Sequence, residues 1–498
     1  MSTSQDEMAE ATFQSLWKAQ TTGITTGTGI TSYDLSPLVT LIPVVTPFRD
    51  HVARVKSMDG NTFAIWKAIM NLTNSQPDPS IGFNYAASEV LFSEQDFQAK
   101  YQPTSLAGMV TQDALDLATG YDDPYATATF NTLNQVLIAD DRKLLGAQSF
   151  ALAAATAPTL TQHTTGGSIA ASTTVYVGVA GRTGSGYYYG SGNSQGASTS
   201  GASGSGTATN SVSATTTAQR GAVAYDWFQS SNGSTWYYYT TTTTNTVTMT
   251  SVISSNNAVP STLVDISTTW QNTANSVPTY LSSGDNGSAN AKDYDGFMAS
   301  LSGDYNSTGQ WVQPGTSTAN PSVFNSLNGA GLTLSGGSIA EIENLLFLPL
   351  WNQIKSSPTA LMMNAAQAQE IAGLVLGNTS ATTFLNTDSD GRVNVTAGGR
   401  VGQIVNAPAG GVTVPIEVHV SIPPGTIIAR SDRVPFPQSK ISSVLEYRTL
   451  RDCAQYDYGI NRNPGVAGGG PRREFEIRSV GAFLNRAPVA AGVLSCVA

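Results

Sequence analysis

The clearest helical pattern of apolar residues lies between Gly108 and Ala155. Five apolar residues recur at offsets of 3, 4, 11 and 12 positions and so share one helix face: Leu133, Val136, Leu137, Leu144 and Leu145. The run Asp122-Asp123-Pro124 can interrupt or cap a helix, because proline is tolerated in a first turn. The pattern predicts one helix to about Gly120 and a second, longer helix to about Ala155.

Apolar and polar residues alternate with period two between Pro158 and Pro278. Gly, Ser and Asn turns at roughly ten-residue spacing separate four alternating runs: 174–179, 222–228, 236–239 and 245–252. The charged residues of this segment are few: Arg182, Arg220, Asp226 and Asp265. These features predict a small antiparallel sandwich, with the Gly/Ser-rich run Gly184–Gly206 as a flexible loop within it.

The residues before the first predicted helix have extended character. Thr21–Thr31 is rich in Thr and Gly and has no periodicity, and three prolines in Asp34–Phe48 rule out a long helix there. Between His51 and Gln102, short alternating pieces such as Thr62–Ile69 flank a Pro/Asn-rich turn at Asn71–Ser80. We expect an extended arm followed by a long, partly exposed two-stranded loop.

The second half of the chain mixes helical and alternating patterns. Ser338 and Glu341 have the spacing of a capping box, which satisfies two backbone amides at a helix start. The predicted elements are a helix over 338–356, a strand over 360–363, a helix over 365–376, and strands over 412–422, 441–450 and 474–480. A loose tail is expected after the last of these strands.

The composition favours contacts with other proteins. The chain has 498 residues, too many for one ordinary core, so two to four domains are expected. Only 12% of its residues are charged, which lowers the desolvation cost of large interfaces and suits both assembly subunits and secreted adhesins. The net charge of −10 argues against a protein that wraps nucleic acid, although a shell that merely encloses it stays compatible.

The cysteines and the N-terminal residues bear on the compartment. Cys453 and Cys496 are too few for a disulfide framework or a four-ligand zinc site, and two reduced thiols are expected. Met1–Gln20 is acidic and polar and has no apolar core of a signal peptide. No run of about 20 apolar residues could span a membrane. We therefore expect synthesis in the cytosol and no membrane association.

The search for catalytic chemistry predicts no catalytic, cofactor or metal site. His51, His163 and His419 lie far apart in sequence without metal-binding spacing, and no phosphate-binding loop is present. Asn386-Thr-Asp388-Ser-Asp390-Gly391 resembles the start of a calcium loop. Ala397 stands where the bidentate acid would be, so a polar turn is the better interpretation.

Two further groups of residues have a structural and a functional interpretation. The clusters Tyr187–Tyr189 and Tyr237–Tyr239 suit strand positions with one face in a core, and a sugar-binding face is the alternative. A carbohydrate-active enzyme would need paired acids. Glu341 and Glu343 lie two positions apart on a predicted helix and so point to different sides.

With these segments identified, the chain resembles the major capsid proteins of tailed bacteriophages, the Hong Kong 97 type. The predicted arm, long hairpin and long helix follow that family's order of N-arm, extended loop and spine helix. Four segments carry the resemblance in the second half: Phe324–Leu334, Ser357–Asn364, Pro415–Ile428 and Ile441–Tyr458. The Gly221–Phe228 strand and the Trp/Tyr strand after it resemble the immunoglobulin- or fibronectin-like insertion of many such subunits.

The resemblance implies an α+β capsid subunit, not an enzyme, in the shell of a virion assembled in the host bacterial cytoplasm. Such a shell is icosahedral and encloses double-stranded DNA without sequence-specific binding. Implied partners are further copies in hexamers and pentamers, a portal, and a separate scaffolding or decoration protein. The implied division is 1–50 N-arm, 51–105 extended loop, 106–158 spine helix of the P-domain, 159–258 immunoglobulin-like insertion, 259–430 A-domain and connection, and 431–498 return to the P-domain with the C-terminal segment.

The chain departs from that family in two respects. No charged helical stretch of the kind that serves as a scaffolding segment precedes the arm, which suggests a separate scaffolding protein or none. Some members crosslink a lysine to a neighbour's asparagine, but nothing distinguishes Lys56, Lys67 or Lys100, and no crosslink is predicted. The rival interpretation is a cell-surface adhesin or a carbohydrate-binding tail-fibre protein, which would favour tandem sandwiches and a secretion signal.

The extended segments before the first helix yield the first test. Deleting Met1–Thr31 should abolish shells while leaving the sandwich folded, because an arm without its own core contributes contacts to neighbours and not to the sandwich. Negative-stain microscopy would measure shells, and limited proteolysis would follow the sandwich. Normal shells from the deleted chain would contradict the assignment of the arm to assembly.

Overall fold

The chain is described by a computed structural model of mixed α and β composition. The described residues are 44–57, 62–72, 80–86, 92–118, 123–150, 152–153, 155–184, 187, 197–198, 202–203, 209–233, 235–255, 270–271, 293–335, 337–377, 386–387, 393–394, 401–434, 443–461 and 471–498. Most of the predicted arm and part of the predicted flexible loop lie outside these residues.

The helices are labelled in chain order, and two of the α-helices are joined by a π-helical stretch into one continuous helix. The α-helices are α1 (Pro47–His51), α2 (Gln112–Ala118), α3 (Pro124–Gly146), α4 (Phe297–Ser302), α5 (Ala340–Ile342), α6 (Leu348–Ile354) and α7 (Ala365–Gly377). A π-helical stretch, Glu343–Phe347, joins α5 to α6, and a 3₁₀ turn occupies Pro488–Ala490.

The strands are labelled in the same way. Those of the first half are β1 (Ala53–Lys56), β2 (Phe63–Leu72), β3 (Phe92–Lys100), β4 (Gln102–Thr111), β5 (Thr159–His163), β6 (Thr174–Arg182), β7 (Ala197–Ser198), β8 (Ala202–Ser203), β9 (Ser211–Thr215), β10 (Ala224–Ser230), β11 (Thr235–Thr242) and β12 (Thr246–Met249). Those of the second half are β13 (Trp270–Gln271), β14 (Asp304–Tyr305), β15 (Trp311–Val312), β16 (Val323–Ser326), β17 (Leu334–Ser335), β18 (Ser338–Ile339), β19 (Ala360–Met363), β20 (Asn386–Thr387), β21 (Val393–Asn394), β22 (Gln403–Asn406), β23 (Val412–Val418), β24 (Ile427–Arg430), β25 (Leu445–Asn461), β26 (Arg472–Asn485) and β27 (Gly492–Ser495).

A four-stranded sheet carries the long helix α3. Its strand order is β1-β25-β26-β4, with β1 parallel to β25 and the other pairs antiparallel. Along β26, Phe475 and Ile477 pack with Val136 of α3 in one buried cluster. The 23-residue helix and the long strand pair β25–β26 therefore form one elongated layered unit.

Local signals set the start of α3, and tertiary contacts set its end. Asp123 accepts hydrogen bonds from the backbone amides of Tyr125 and Ala126, and Pro124 occupies the first turn, as the sequence predicts. The predicted end near Ala155 is wrong, because α3 stops at Gly146. The apolar residues that follow it pack elsewhere, Phe150 at the base of the β2–β3 hairpin and Leu152 in the sandwich core.

The prediction of a helix from Gly108 is wrong for its first residues. Residues 108–111 belong to β4, which pairs along its whole length with β26, and α2 begins only at Gln112. Gly108 lies directly opposite Phe475 in this pairing. A large ring on the partner strand needs a residue without a side chain there, and this cross-strand fit outweighs the local helical pattern.

In the region of the predicted sandwich, Pro158–Pro278, the described strands form two antiparallel sheets. One has the order β13-β11-β10-β6-β7, with β8 also on β6, and the other has the order β12-β9-β5. Val177, Trp227 and Met249 are fully buried between them. The antiparallel arrangement agrees with the period-two pattern, and the immunoglobulin-like assignment stays a prediction.

Buried polar contacts fix the sandwich to the rest of the chain. The guanidinium of Arg220 donates to the carbonyl oxygens of Leu301 and Ser302 at 3.0 Å and to Oγ of Ser322 at 2.8 Å. Nδ2 of Asn245 donates to Oδ1 of Asn328 at 3.2 Å. The sandwich is thus held against its neighbours by specific hydrogen bonds as well as by its two chain connections.

A six-stranded mixed sheet forms the second large core. Its order is β16-β27-β24-β19-β23-β22, with parallel pairs β16–β27 and β19–β23. The predicted strand at Ala360–Met363 and the predicted helix after it are confirmed as β19 and α7. The predicted loose tail is wrong, because β27 (Gly492–Ser495) lies buried between β16 and β24.

The predicted capping box at Ser338 is also wrong. Ser338 lies in β18, and the helix begins at Ala340 without a side-chain cap. Glu341 accepts hydrogen bonds from the amide and hydroxyl of Thr333, while the Ser338 hydroxyl donates to Glu343. The two glutamates therefore bind different partners, as expected for side chains that point to different sides.

The close approach at Gly108 predicts a clear effect of one methyl group. A Cβ at Gly108 would lie 2.3 Å from Cζ of the buried Phe475 ring, so Gly108→Ala should destabilise the chain by about 1–3 kcal/mol. Gly373→Ala is the matched control, since nothing lies within 4 Å of its added methyl in α7 and alanine favours helices by about 1 kcal/mol. Melting temperatures should fall for the first and not for the second, and equal values would contradict this packing.

Candidate assembly surfaces

The base of the β2–β3 hairpin is anchored by stacked aromatic rings. The Phe97 ring lies 5.5 Å from that of Trp66 in a stacked arrangement, and 5.3 and 5.5 Å from those of Tyr305 and Trp311. The amide of Gln98 donates to the carbonyl oxygen of Gly309 at 3.0 Å. The base of the hairpin is therefore packed against the body as a core element, and does not swing as a free loop.

The segment between β2 and β3 exposes large apolar side chains. Phe83 is 100% exposed, Tyr85 76% and Ile81 57%. The amide of Tyr85 donates to the carbonyl oxygen of Gly82, and Asn84 has a φ of 70°, so the chain turns sharply here. An isolated subunit leaves this apolar group in water, which is typical of a surface that another molecule covers.

Sequence reasoning missed this apolar group, which we call the hairpin tip (Ile81, Phe83 and Tyr85). The three residues alternate with Gly82 and Asn84, just after the predicted turn at Asn71–Ser80. The available signal was a set of apolar residues at every second position directly after a predicted turn. Period two alone does not show whether such a face lies in a core or in solvent.

A buried cluster of charges fixes the point where the N-terminal segment enters the body. Asp140 of α3 is fully buried and binds two arginines, Arg49 at 3.2 Å and Arg54 at hydrogen-bond distance. Arg54 also binds Asp452 of β25 at 2.9 Å, and the amide of Arg49 donates to Asp141 at 2.8 Å. These contacts join α1 and β1 to α3 and to the four-stranded sheet.

His419 packs against the same cluster as a buried neutral imidazole. The amide of Ser421 donates to its Nδ1 at 3.0 Å, so Nε2 carries the proton, 3.5 Å from Oδ2 of Asp141. Burial, with a smaller effect of Arg430, lowers the pKa of His419 to about 4, and burial raises that of Asp141. His419 is therefore a core histidine.

The other two histidines have separate partners. Nε2 of His51 lies 2.8 Å from Oδ1 of Asp432, and Nε2 of His163 lies 3.0 Å from Oγ of Ser213 in the sandwich. The structure does not bring the three histidines together into one site. Among the described residues, no three His, Cys, Asp or Glu side chains are grouped closely enough to bind a metal ion.

Two of the three tyrosines of β11, Tyr238 and Tyr239, are used in packing. Tyr238 is buried against Phe228, with ring centroids 6.1 Å apart, and Tyr239 packs on the sandwich core while its hydroxyl accepts from the amide of Thr250. Tyr187 packs against a core cluster, whereas 188–189 lie outside the described residues. These contacts favour the core interpretation over a sugar-binding face.

The remaining candidates from the sequence are the calcium-like motif, the two cysteines and Lys67. Of the calcium-like motif, only Asn386 and Thr387 in β20 are described, and Asp388, Asp390 and Gly391 lie outside the described residues. Cys453 and Cys496 are both free thiols. Lys67 forms exposed ion pairs with Glu94 and Asp96 of β3 at 3.3 and 3.8 Å. Within the described ranges, no helix is long and apolar enough to cross a membrane.

Solved structures of capsids are similar to this chain over most of its length. The cyanophage A-1(L) capsid asymmetric unit is 9% identical, with 94% of this chain and 97% of that chain covered and a TM-score of 0.45. The capsid of the native GTA particle is 10% identical, with 96% and 98% covered and a TM-score of 0.40. The capsid of Myoviridae phage XM1 is 9% identical, with 93% and 96% covered and a TM-score of 0.38. No protein-family model matches the sequence, and no curated protein matches it.

The neutral imidazole of His419 predicts a loss of stability in acid. Its folded pKa of about 4 lies below the unfolded value of 6.5, so its contribution is present above pH 6.5 and is lost as the pH falls towards 4. The loss should reach about 3 kcal/mol. Asp141, whose raised pKa acts in the opposite direction, is retained in every variant compared.

Melting temperatures at pH 7.5 and 4.5 would test this prediction. His419→Asn keeps an acceptor for the Ser421 amide but cannot be protonated, and should lose less stability between the two pH values than the natural chain. His163→Asn, at an exposed position of the sandwich, is the control and should leave the acid loss unchanged. Equal acid losses in all three proteins would show that His419 does not titrate in this way.

Proposed function

We propose that this chain is the major capsid protein of a tailed bacteriophage, a shell subunit that assembles with further copies of itself. The observation that carries the proposal is the hairpin, whose base is packed into the body by Phe97 and whose tip presents a fully exposed Phe83. A rigid base with an uncovered apolar end is suited to reach a neighbouring copy.

The anchored base lowers the entropic cost of forming a contact at the hairpin tip. Because the aromatic cluster already orders β2 and β3, little further conformational entropy is lost when the tip binds a neighbour. Covering Ile81, Phe83 and Tyr85 removes apolar surface from water, at roughly 25 cal/mol per Å². A few such contacts per copy, repeated around a closed shell, produce a stable assembly from individually modest interfaces.

The arrangement of elements supports the proposed subunit anatomy. The hairpin corresponds to the extended loop (51–105), and α3 on the four-stranded sheet corresponds to the P-domain with its spine helix (106–158 and 431–498). The six-stranded mixed sheet corresponds to the A-domain within 259–430. The sandwich at 159–258 corresponds to an immunoglobulin-like insertion on the outside of the shell, and 1–50 to the N-arm.

The proposal extends to the assembled particle. Copies would form hexamers and pentamers of an icosahedral shell around double-stranded DNA, with a portal and a separate scaffolding or decoration protein as partners. The net charge of −10 supports enclosure without adhesion, because like charges keep the packed DNA from binding tightly to the wall. The role assigned to the chain is structural, and no catalytic step is proposed for it.

The hairpin tip provides the decisive variant. Replacing Ile81, Phe83 and Tyr85 together by serine should abolish shells, because the tip loses its apolar contact surface while the base cluster stays intact. The melting temperature should be unchanged, since the three side chains are exposed in the isolated chain. Negative-stain microscopy and light scattering would measure the assemblies.

A matched control uses exposed valines of β22, β23 and the turn after it. Val405, Val412 and Val420 are 53%, 48% and 66% exposed, and their replacement by serine removes exposed apolar surface at another place on the chain. This variant should assemble normally. Normal shells from the tip variant, or equal losses in both variants, would contradict the role given to the hairpin.

A further inference from the structure

A groove opens on the face of the four-stranded sheet that points away from α3. Side chains alternate along β26, so that Phe475 and Ile477 pack under the helix while Arg478 and Val480 lie on the opposite face. The groove has a volume of about 390 Å³ and opens to solvent. Its lining is mixed apolar, aromatic and basic: Leu450, Arg451, Tyr456, Tyr458, Arg478 and Val480.

The two arginines of the groove lack the ion pairs that most of the described arginines form. Among the described residues, neither Arg451 nor Arg478 lies within 4.0 Å of a carboxylate, unlike eight other arginines: Arg49, Arg54, Arg182, Arg430, Arg448, Arg472, Arg473 and Arg486. The guanidinium of Arg451 lies 5.5 Å from the centroid of the Tyr456 ring. Glu476 is nearby and accepts a hydrogen bond from the Tyr458 hydroxyl, which holds that ring at the rim. The groove thus keeps an excess of positive charge.

The groove also presents uncovered apolar surface. Leu450 is 40% exposed and Tyr458 is 58% exposed, although both lie beside well-packed strands. A matching occupant would combine carboxylates for the arginines with apolar side chains for the leucine and the aromatic rings. A simple inorganic anion would leave the apolar part of the groove unused.

We propose that this groove binds the acidic N-terminal segment of the chain itself, Ser4–Trp17. The segment carries Asp6, Glu7 and Glu10 together with the apolar Met8 and Phe13. No lysine or arginine precedes Lys18, so the charge of this segment is purely negative, whereas the groove is basic. Both charge and apolar character are therefore complementary.

The entry point of the chain makes this contact reachable. Strand β1 runs beside Glu446–Thr449 of β25, and the next residues of β25, Leu450 and Arg451, line the groove. Because β1 is parallel to β25, the chain enters at the Ala53 end, opposite Glu446. The 26 residues from 18 to 43 span up to about 85–90 Å when extended, whereas β25 from Glu446 to Tyr458 is only about 40 Å long. A tethered segment of this length binds at a high effective concentration.

Site-specific photo-crosslinking in the full-length chain tests the proposal. With p-benzoylphenylalanine in place of Phe13, crosslinks should map to peptides within 445–461 or 472–485. Arg451→Gln with Arg478→Gln should lower the crosslink yield about tenfold, since each exposed ion pair contributes a few-fold. Arg433→Gln, at an exposed arginine outside the groove, is the control and should leave the yield unchanged. Crosslinks within one copy and between copies both support the proposal.

Exchanging the charges of the groove and of the segment distinguishes direct ion pairing between them from a general effect of surface charge. Arg451→Glu with Arg478→Glu should remove the crosslink, and adding Asp6→Arg with Glu7→Arg should restore it. Crosslinks that map outside the groove, or that persist at full yield in the double glutamine variant, would overturn the proposal. Neither readout requires shells, so the result is independent of the proposed function.

Duplex DNA is the competing anionic occupant and needs its own measurement. Fluorescence anisotropy of a labelled 20-base-pair duplex with the full chain should show no binding that depends on Arg451 and Arg478, in keeping with the net charge of −10. Salt-sensitive DNA binding that is lost in the double glutamine variant would assign the groove to nucleic acid and overturn the proposal.

Discussion

The buried carboxylate of Asp140 is the constraint on which the other elements depend. It is fully buried, and the guanidinium groups of Arg49 and Arg54 both bind it. A buried charge with two partners adds little net stability over an apolar core, but the loss of one partner leaves an uncompensated charge at a cost of about 3–5 kcal/mol. The cluster therefore acts mainly by specificity: it allows one arrangement of α1, β1, α3 and β25 and penalises the others.

This arrangement sets where the N-terminal segment enters the body and where the chain leaves it into the hairpin. Because α1 and β1 are held against α3, the chain must enter the body beside β25 and then leave directly into the hairpin. The hairpin in turn is oriented by Phe97 and its aromatic neighbours, and the sandwich by the hydrogen bonds of Arg220. The hairpin and the sandwich are thus each fixed to the body at the base.

The sequence predicted elements whose signals are local. The hairpin strands and the sandwich follow from period-two alternation, and the start of α3 follows from Asp123-Pro124, because these patterns act within a few residues. The predictions failed where distant contacts decide. The end of α3 depends on where Phe150 and Leu152 pack, β4 depends on Phe475 across the sheet, and the cap at Ser338 is lost to the pairing of β17 with β18.

The candidate surfaces were harder to predict than the fold. The pattern of Ile81, Phe83 and Tyr85 does not show whether a side chain meets solvent or core, and the contact surface proposed at the tip depends on that difference. Asp140 and Asp141 interrupt the apolar face of α3, and this interruption was a readable signal of buried polar contacts. The groove has no sequence signature, because its six lining residues come from two strands joined only by the register of β25 on β26.

The position of β27 has a consequence for the timing of folding. This strand lies between β16 and β24 inside the six-stranded sheet, although it follows all the other strands of the chain. While the ribosome is still adding residues 492–495, β24 lacks its neighbour on that side and the edge strand β16 has no strand to pair with. The six-stranded sheet therefore closes only after these residues have been synthesised.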